Sequence, residues 1–157
     1  MSDTPHVISV TRRIAAPASA IFTVLADPTR HVDIDGSDMI KGSHRTEPLS
    51  AEGDVFVMDM HNAEFGDYVM RNTVVEFEPD ALIGWAPARA DAEGGGWQHR
   101  WRFRLEPDGP DATFVTEQFD LTRSPADAHR ILRDGERWRP DMERTLARLD
   151  EIVAPGG

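Results

Sequence analysis

Residues 97–121 read WQHRWRFRLEPDGPDATFVTEQFDL, two runs of alternating side chains separated by a turn. In the first run, 97–106, three aromatic residues, a histidine and a leucine occupy the odd positions, and the even positions are mostly arginines, which is the period of a half-buried strand. The intervening PDGPD is typical of a tight turn, so the two runs are predicted to form an antiparallel hairpin. The aromatic face should point inward, since burying three unpaired guanidinium groups is prohibitive.

The segments before this hairpin have the same strand character. Alternating or apolar runs bounded by turn residues occur at 39–47, 55–61, 67–78 and 82–89, with no helical pattern between them. Together with the runs at 97–106 and 112–121 they predict a six-strand antiparallel meander. A further alternating run at 6–14 predicts a seventh strand in the same sheet.

Helical periodicity appears at both ends of the meander. Residues 16–26 predict a short helix that Asp27 and Pro28 end, and 29–32 predict a second helical turn. A helix over 125–134, with Ser124 as N-cap, is predicted to be interrupted at Gly135 and Pro140. The apolar positions that follow at helical spacing are Trp138, Met142, Leu146, Leu149 and Val153.

One long amphipathic helix must therefore cover the inner face of a seven-stranded sheet. We predict a single α+β domain over 1–157: a curved antiparallel sheet around a long C-terminal helix, with two short helices after the first strand. The chain has 157 residues, and a chain of this length buries roughly 70% of its unfolded surface, enough for one core and one cavity.

The amino-acid composition excludes several classes of function. The 28 acidic against 17 basic residues give a formal charge of −11, which argues against nucleic acid as a partner. Cysteine is absent, and no apolar run approaches the roughly 20 residues that span a bilayer. We expect a cytoplasmic protein without membrane insertion. Whether it forms a homodimer is left open.

The segments IAAP at 14–17, IFTVLAD at 21–27 and DGS at 35–37 resemble the START-like helix-grip superfamily, also called SRPBCC. The chain looks most like its polyketide cyclase/dehydrase and lipid-transport group. The resemblance implies a deep cavity between sheet and C-terminal helix, used by relatives for lipids, polyketides, plant hormones, aromatic compounds or protein partners. Relatives often have an aromatic residue where this chain has Ile34, so the cavity mouth is expected to differ.

His99 and Glu117 are the candidate catalytic residues. His99 shares the inner face of its strand with aromatic residues, where a neutral imidazole could orient a ligand carbonyl or act as a base. Glu117 interrupts an apolar row on the next strand, and with His99 it could form an acid/base pair for ring closure or dehydration. We weight the simpler alternatives more: a satisfied core or rim histidine, and a shifted register in which Glu117 pairs with Arg100 or Arg102 outside.

The remaining candidates would line a ligand site. In the segment 55–61, Phe56, Met58 and Met60 share the face better suited to the interior, which leaves His61 exposed and a weak ligand candidate. Trp85, between two small residues, could stack on a flat ligand, although a strand tryptophan is more often core. The full predicted ligand-binding set is Trp85, Trp97, His99, Trp101, Phe103, Glu117, Phe119 and His61.

No cofactor or metal is predicted. The glycines at 94–96 lie between two strands, which predicts a hairpin and no phosphate cradle. The histidines form no HExxH or other close pair. We therefore expect a protein that binds one small hydrophobic or aromatic molecule. The alternatives are a polyketide cyclase or dehydratase, and an interaction module like the co-chaperone relatives of the fold, which would expose an apolar patch.

Overall fold

Seven antiparallel strands form one sheet in the computed structural model, which describes residues 6–90, 97–131 and 133–154. The strands are β1 (Val7–Ile14), β2 (Ile40–Ser43), β3 (Val55–Asn62), β4 (Gly66–Glu78), β5 (Leu82–Arg89), β6 (Arg100–Pro107) and β7 (Thr113–Asp120). Their order across the sheet is β1-β7-β6-β5-β4-β3-β2, so β2 to β7 form the predicted meander and β1 closes beside β7. The predicted hairpin at 94–96 lies outside the described residues.

The strand boundaries differ from prediction at two places. β2 has only four residues and carries a bulge between Ile40 and Gly42, so the predicted strand over 39–47 is too long. β6 begins at Arg100 because Gln98 has a φ of 55°, a left-handed conformation that interrupts extended backbone.

The helices are α1 (Ala18–Leu25), α2 (His31–Ile34), α3 (Ala126–Ile131) and α4 (Arg139–Val153), with 3-10 turns at Pro28–Arg30 and Arg133–Trp138. The predicted interruption at Pro140 is wrong: this proline lies in the first turn of α4, where its missing N–H has no partner to lose. Gly135, in contrast, breaks the helical run with a φ of 89°. The predicted Ser124 cap is also wrong, since its hydroxyl is buried without a hydrogen-bond partner in the described chain. No helix within the described ranges is long and apolar enough to cross a bilayer.

α4 packs on the concave face of the sheet, as its apolar stripe predicts. Met142, Leu146 and Leu149 are 1%, 1% and 0% exposed. Trp138 and Val153, at the two ends of the stripe, are partly buried. The curved sheet around a C-terminal helix is therefore confirmed.

The turn after α2 holds α4 in place through close backbone contact. Gly36 N donates to Thr145 Oγ1 at 2.9 Å, and Arg144 Nε donates to Gly36 O at 3.0 Å. A Cβ on Gly36 would overlap the backbone oxygen of Asp141 and lie 2.8 Å from Arg144 Cβ. Only glycine lets the turn approach the helix this closely.

The outer face of the sheet carries a polar row centred on Arg102. Its Nε donates to Glu76 at 2.9 Å and its Nη2 to Asp120 at 2.9 Å. Glu76 and Arg102 reach each other across Gly84 of β5, where a Cβ would lie 3.0 Å from the Glu76 carboxylate. Gln118, paired with Arg102 in the ladder, continues the row toward β1.

This row corrects one expectation. The arginines of β6 do lie outside, but Arg102 is 9% exposed whereas Trp97 is 39% exposed. Two carboxylates pair with the guanidinium, so its burial is not prohibitive. Trp97 precedes the strand and lies at the rim of the interior, which leaves it more open to solvent than an inward strand residue.

Candidate ligand cavity

A cavity of about 400 Å³ lies between the concave face of the sheet and α4. All the predicted ligand-binding residues except His61 line it, namely Trp85, Trp97, His99, Trp101, Phe103, Glu117 and Phe119. The face of β3 carrying Phe56, Met58 and Met60 also lines it, as expected from the apolar character of that face. The alternation read from the sequence thus brings these side chains to one space.

The first aromatic wall, the Trp85 cluster, consists of His31, Phe56, Trp85 and Phe103. The His31 ring stacks on Trp85 with centroids 5.1 Å apart, and Phe56 meets Trp85 edge-on at 5.4 Å. His31 Nε2 donates to Leu25 O at 2.8 Å, and burial lowers the pKa of this histidine despite that bond. Its neutral ring therefore behaves as one more flat wall element.

The second wall, the Trp101 cluster, consists of His99, Trp101, Phe119 and Trp138. Trp101 and Phe119 lie 4.5 Å apart between ring centroids, and His99 lies 5.3 Å from Phe119. Trp138, from the turn before α4, lies 6.4 Å from both Trp101 and Phe119. This cluster joins the sheet to the start of α4 and gives the cavity a second set of ring faces.

Glu117 lies between the two clusters. It pairs with Phe103 of β6 in the ladder and precedes Phe119 by two residues on the same face. The side chain is 6% exposed, and its Oε1 is buried without a hydrogen-bond partner in the described part of the chain. The outward alternative, with Glu117 paired to Arg100 or Arg102, is therefore wrong.

The electrostatic surroundings of Glu117 disfavour its charged form. Burial raises the pKa of the Glu117 carboxyl well above its usual value, and the carboxylates of Asp35 and Asp141 raise it further. Asp35 belongs to the turn after α2 and Asp141 to the first turn of α4. The close contact between this turn and α4 therefore also places two negative charges near Glu117.

His99 offers a second buried polar atom. Its Nδ1 is buried and has no hydrogen-bond partner among the described residues, and burial lowers the pKa of the ring to about 4. Trp138 Nε1 is likewise buried without a partner in the described ranges. Each such atom loses its bonds to water and gains none in return, which is unfavourable unless something in the cavity supplies them.

The ladder does not bring His99 and Glu117 into contact. His99 precedes Phe103, the ladder partner of Glu117, by four residues. At about 3.3 Å per residue, their backbones are roughly 13 Å apart along the strands. Both side chains nevertheless line one space.

His61 is not brought to the cavity. It lies exposed on β3 and its Nδ1 forms a 2.7 Å hydrogen bond with Asp67 of β4. Asp59, on the same face, is also exposed and bonds His44 at 2.9 Å. This outward placement follows the alternation that turns the methionines inward.

Comparison with known proteins identifies the architecture. No protein-family model matches the chain. A START superfamily protein from Mycobacterium smegmatis superposes with a TM-score of 0.63 at 20% identity, over 94% of this chain and 97% of that one. An aromatase/cyclase from a Streptomyces species superposes with a TM-score of 0.64 at 18% identity, over 96% and 97% of the two chains. The chain has the START-like helix-grip fold.

A curated relative of the helix-grip chain has no assigned activity. An uncharacterized protein of Mycobacterium tuberculosis is 32% identical over 163 residues, covering 97% of this chain and 66% of that protein. The chain thus spans just under two thirds of that relative's length. Similarity to solved structures at this level of identity establishes the fold alone, so the ligand must be inferred from the cavity itself.

Sequence reasoning missed several residues of the helix-grip cavity. His31 comes from a four-residue helix without a motif, and Asp35 comes from the DGS segment, which supported the resemblance but was not assigned to the site. Trp138 was assigned to the apolar stripe of α4, but at the start of that stripe it also lines the cavity. One sequence signal could have identified Asp141 as a cavity residue: it is an acidic residue in the first turn of a helix that faces the core. Ile34, noted at the expected mouth, does line the cavity and is 4% exposed.

Proposed function

We propose that the protein binds one small, largely apolar molecule of aromatic or polyketide-like shape in the cavity between the sheet and α4. The observation that carries the proposal is a cavity of about 400 Å³ whose lining includes three residues with a buried polar atom that no described residue pairs with. Its volume falls within the usual range for small-molecule sites. A ligand with one or two polar groups would satisfy atoms that the described protein leaves unpaired.

The two aromatic clusters support a flat ligand body. Ring faces of Trp85 and Trp101 are available on β5 and β6, which pair directly through these two residues. Stacking on such faces contributes beyond the buried area alone. His99 Nδ1, Glu117 and Trp138 Nε1 would then fix the ligand's orientation.

Quenching of tryptophan fluorescence by a panel of aromatic and polyketide-like compounds tests the proposal. Trp101→Ala should weaken binding about tenfold, because it removes one complete stacking face. His99→Ala should weaken only ligands that bear an oxygen able to bond the imidazole. Phe114→Ala is the matched control, since Phe114 is exposed and points away from the cavity on β7.

Unchanged affinities in both Trp101→Ala and His99→Ala, with both variants folded, would place the ligand elsewhere. Mass spectrometry of molecules that co-purify with the protein gives an independent measure. A bound species with an aromatic core is the expected result.

A second candidate is a polyketide cyclase or dehydratase, favoured by one observation. Burial raises the pKa of the Glu117 carboxyl well above its usual value and lowers that of the His99 ring to about 4, so the carboxyl holds its proton more tightly than usual and the imidazole less tightly. Opposed shifts of this kind are common in acid/base sites. The similarity to an aromatase/cyclase of Streptomyces is consistent with this candidate.

Two features favour simple binding over catalysis. A histidine whose pKa is about 4 is a weak base near pH 7, and His99 Nδ1 and Glu117 Oε1 form no hydrogen bond with each other. Incubation of a bound ketone followed by mass analysis separates the candidates. A cyclised or dehydrated product that disappears with His99→Ala or Glu117→Gln would establish the enzyme, whereas an unaltered ligand supports the binding protein.

A further inference from the structure

The carboxyl of Glu117 has an unusual setting for a side chain in an aromatic cavity. It is 6% exposed, and its Oε1 lacks a hydrogen-bond partner in the described chain. Buried carboxyl groups in folded proteins normally pair with a cation or accept several hydrogen bonds. Because Glu117 lines the cavity, a bound molecule can supply the missing partner.

The charges nearest to Glu117 are negative. Asp35 and Asp141 are the charged groups that act on it. Within the described ranges the hydrogen-bond donors to the Asp35 carboxylate are neutral, Ser37 N at 3.0 Å, Ser37 Oγ at 2.6 Å and Ile40 N at 2.8 Å, while Arg148 donates to the Asp35 backbone oxygen. Asp141 pairs with Arg144 on the solvent side of the contact between the turn after α2 and α4. The cavity at Glu117 therefore has a negative potential that a cation would relieve.

The other charged and titratable groups around the cavity do not supply that cation. His99 and His31 have pKa values lowered by burial, so both rings are neutral near pH 7. Arg137 and Arg89 also line the cavity, but their guanidinium groups lie over rings, that of Arg137 over Trp138 at 5.2 Å and that of Arg89 over Tyr68 at 5.6 Å. Neither arginine is among the charges acting on Glu117.

The aromatic clusters add to the same preference. Ring faces carry a negative quadrupole and attract cations that lie over them. Phe103 and Phe119 flank Glu117 on the strand pair, so a cationic group at the carboxyl would sit between ring faces. An anionic ligand would instead be repelled by the two carboxylates.

We propose that the ligand carries a basic nitrogen whose ammonium group pairs with Glu117, while its aromatic or polycyclic body fills the two aromatic clusters. This inference rests on the proposed function, because it assigns a chemical class to the ligand of the same cavity. On binding, the Glu117 carboxyl transfers its proton to the buffer, and the resulting carboxylate accepts hydrogen bonds from the ammonium group. One proton is released for each ligand bound at a pH below the raised pKa of Glu117.

A pair of matched probes tests whether the ligand carries a basic nitrogen. Naphthylmethylamine is cationic near pH 7, and naphthylmethanol has the same shape but is neutral; naphthoate supplies the anionic counterpart. The amine should bind at least tenfold more tightly than the alcohol, and the anion most weakly. Titration calorimetry in two buffers of different ionisation enthalpy should detect proton release with the amine and none with the alcohol.

Two variants separate a local pairing from the general attraction of an acidic protein. Glu117→Gln should bring the affinity ratio of amine to alcohol close to one and abolish the proton release, while the alcohol affinity changes less than threefold. Glu143→Gln removes one charge from the exposed face of α4 and should leave the ratio unchanged. If Glu117→Gln does not fold, proton release by the natural protein decides the question.

Three outcomes would overturn the inference. Alcohol binding as tight as amine binding would refute it and leave the proposed function standing. An equal loss of preference in Glu143→Gln would assign the effect to the overall field of the protein. If none of the three probes binds, the cavity itself is not the ligand site and the proposed function fails with it.

Discussion

Replacing Gly36 by alanine should separate the turn after α2 from α4. The new methyl group would overlap the backbone oxygen of Asp141 and lie 2.8 Å from both Arg144 Cβ and Thr145 N, where ordinary contact begins near 3.4 Å. None of these three atoms is the far end of a flexible side chain. The turn or the helix must therefore move.

The expected loss follows from this movement. Overpacking of a close contact costs about 1 to 3 kcal/mol, and weakening the 2.9 Å hydrogen bond from Gly36 N to Thr145 adds about 1 kcal/mol. We expect Gly36→Ala to lower the free energy of unfolding by about 2 to 4 kcal/mol. For a chain of this size that corresponds to a fall in Tm of roughly 5 to 15 °C.

Urea unfolding followed by tryptophan fluorescence measures the effect. The matched control is Gly42→Ala in β2, where a Cβ meets nothing within 4 Å and the backbone does not require glycine. Gly42→Ala should stay within about 0.5 kcal/mol of the natural protein or stabilise it slightly. Equal stability of the two variants would refute the close approach of turn and helix.

Three further predictions concern the core, the cavity and the outer face. Leu146→Ala should cost about 2 to 5 kcal/mol, since this side chain is 1% exposed, and an unchanged urea midpoint would contradict its burial. Because burial lowers the pKa of His99 to about 4, the unfolded chain binds a proton between pH 6.5 and 4 that the folded chain does not. The His99 contribution to stability should therefore fall by about 2 to 3 kcal/mol as the pH drops from 6.5 to 4, and a His99→Gln variant with the same slope as the natural protein would refute this. Arg102→Met should destabilise by about 2 to 3 kcal/mol because Glu76 and Asp120 lose their shared cation, and adding Asp120→Asn should recover part of the loss in the same unfolding assay.

Much of the fold follows from local alternation and periodicity. The segments 55–61, 67–78 and 82–89 match β3, β4 and β5 within one residue at each end, because side-chain alternation and turn residues mark those boundaries directly. β2 is shorter than predicted because its bulge depends on pairing with β3, which a single strand does not encode. The Ser124 cap failed because a favoured residue type does not fix the direction of its hydroxyl.

The candidate site was predictable on the sheet and less so on the helices. Alternation places Trp101, Phe103 and Glu117 on one face, and a two-residue period leaves little room for error once that face is known. The outward alternative for Glu117 required a shifted register, whereas the ladder pairs Glu117 with the inward Phe103. Asp35 and Asp141 meet near Glu117 only through the packing of the turn against α4, which involves residues more than 100 positions apart in sequence.

The polar row on the convex side makes one end of the cavity stiffer than the other. It ties β4, β6 and β7 together through Glu76, Arg102 and Gln118, and Gln118 reaches Ser9 of β1 at 3.0 Å. The opposite border, β2 and β3, has a four-residue bulged edge strand, and it presents thioethers of Met58 and Met60 to the cavity. Thioether side chains adapt their shape readily. The end of the cavity beside the polar row should therefore select strictly for the shape of the ligand's ring system. The end beside the methionines should tolerate substituents of varying length.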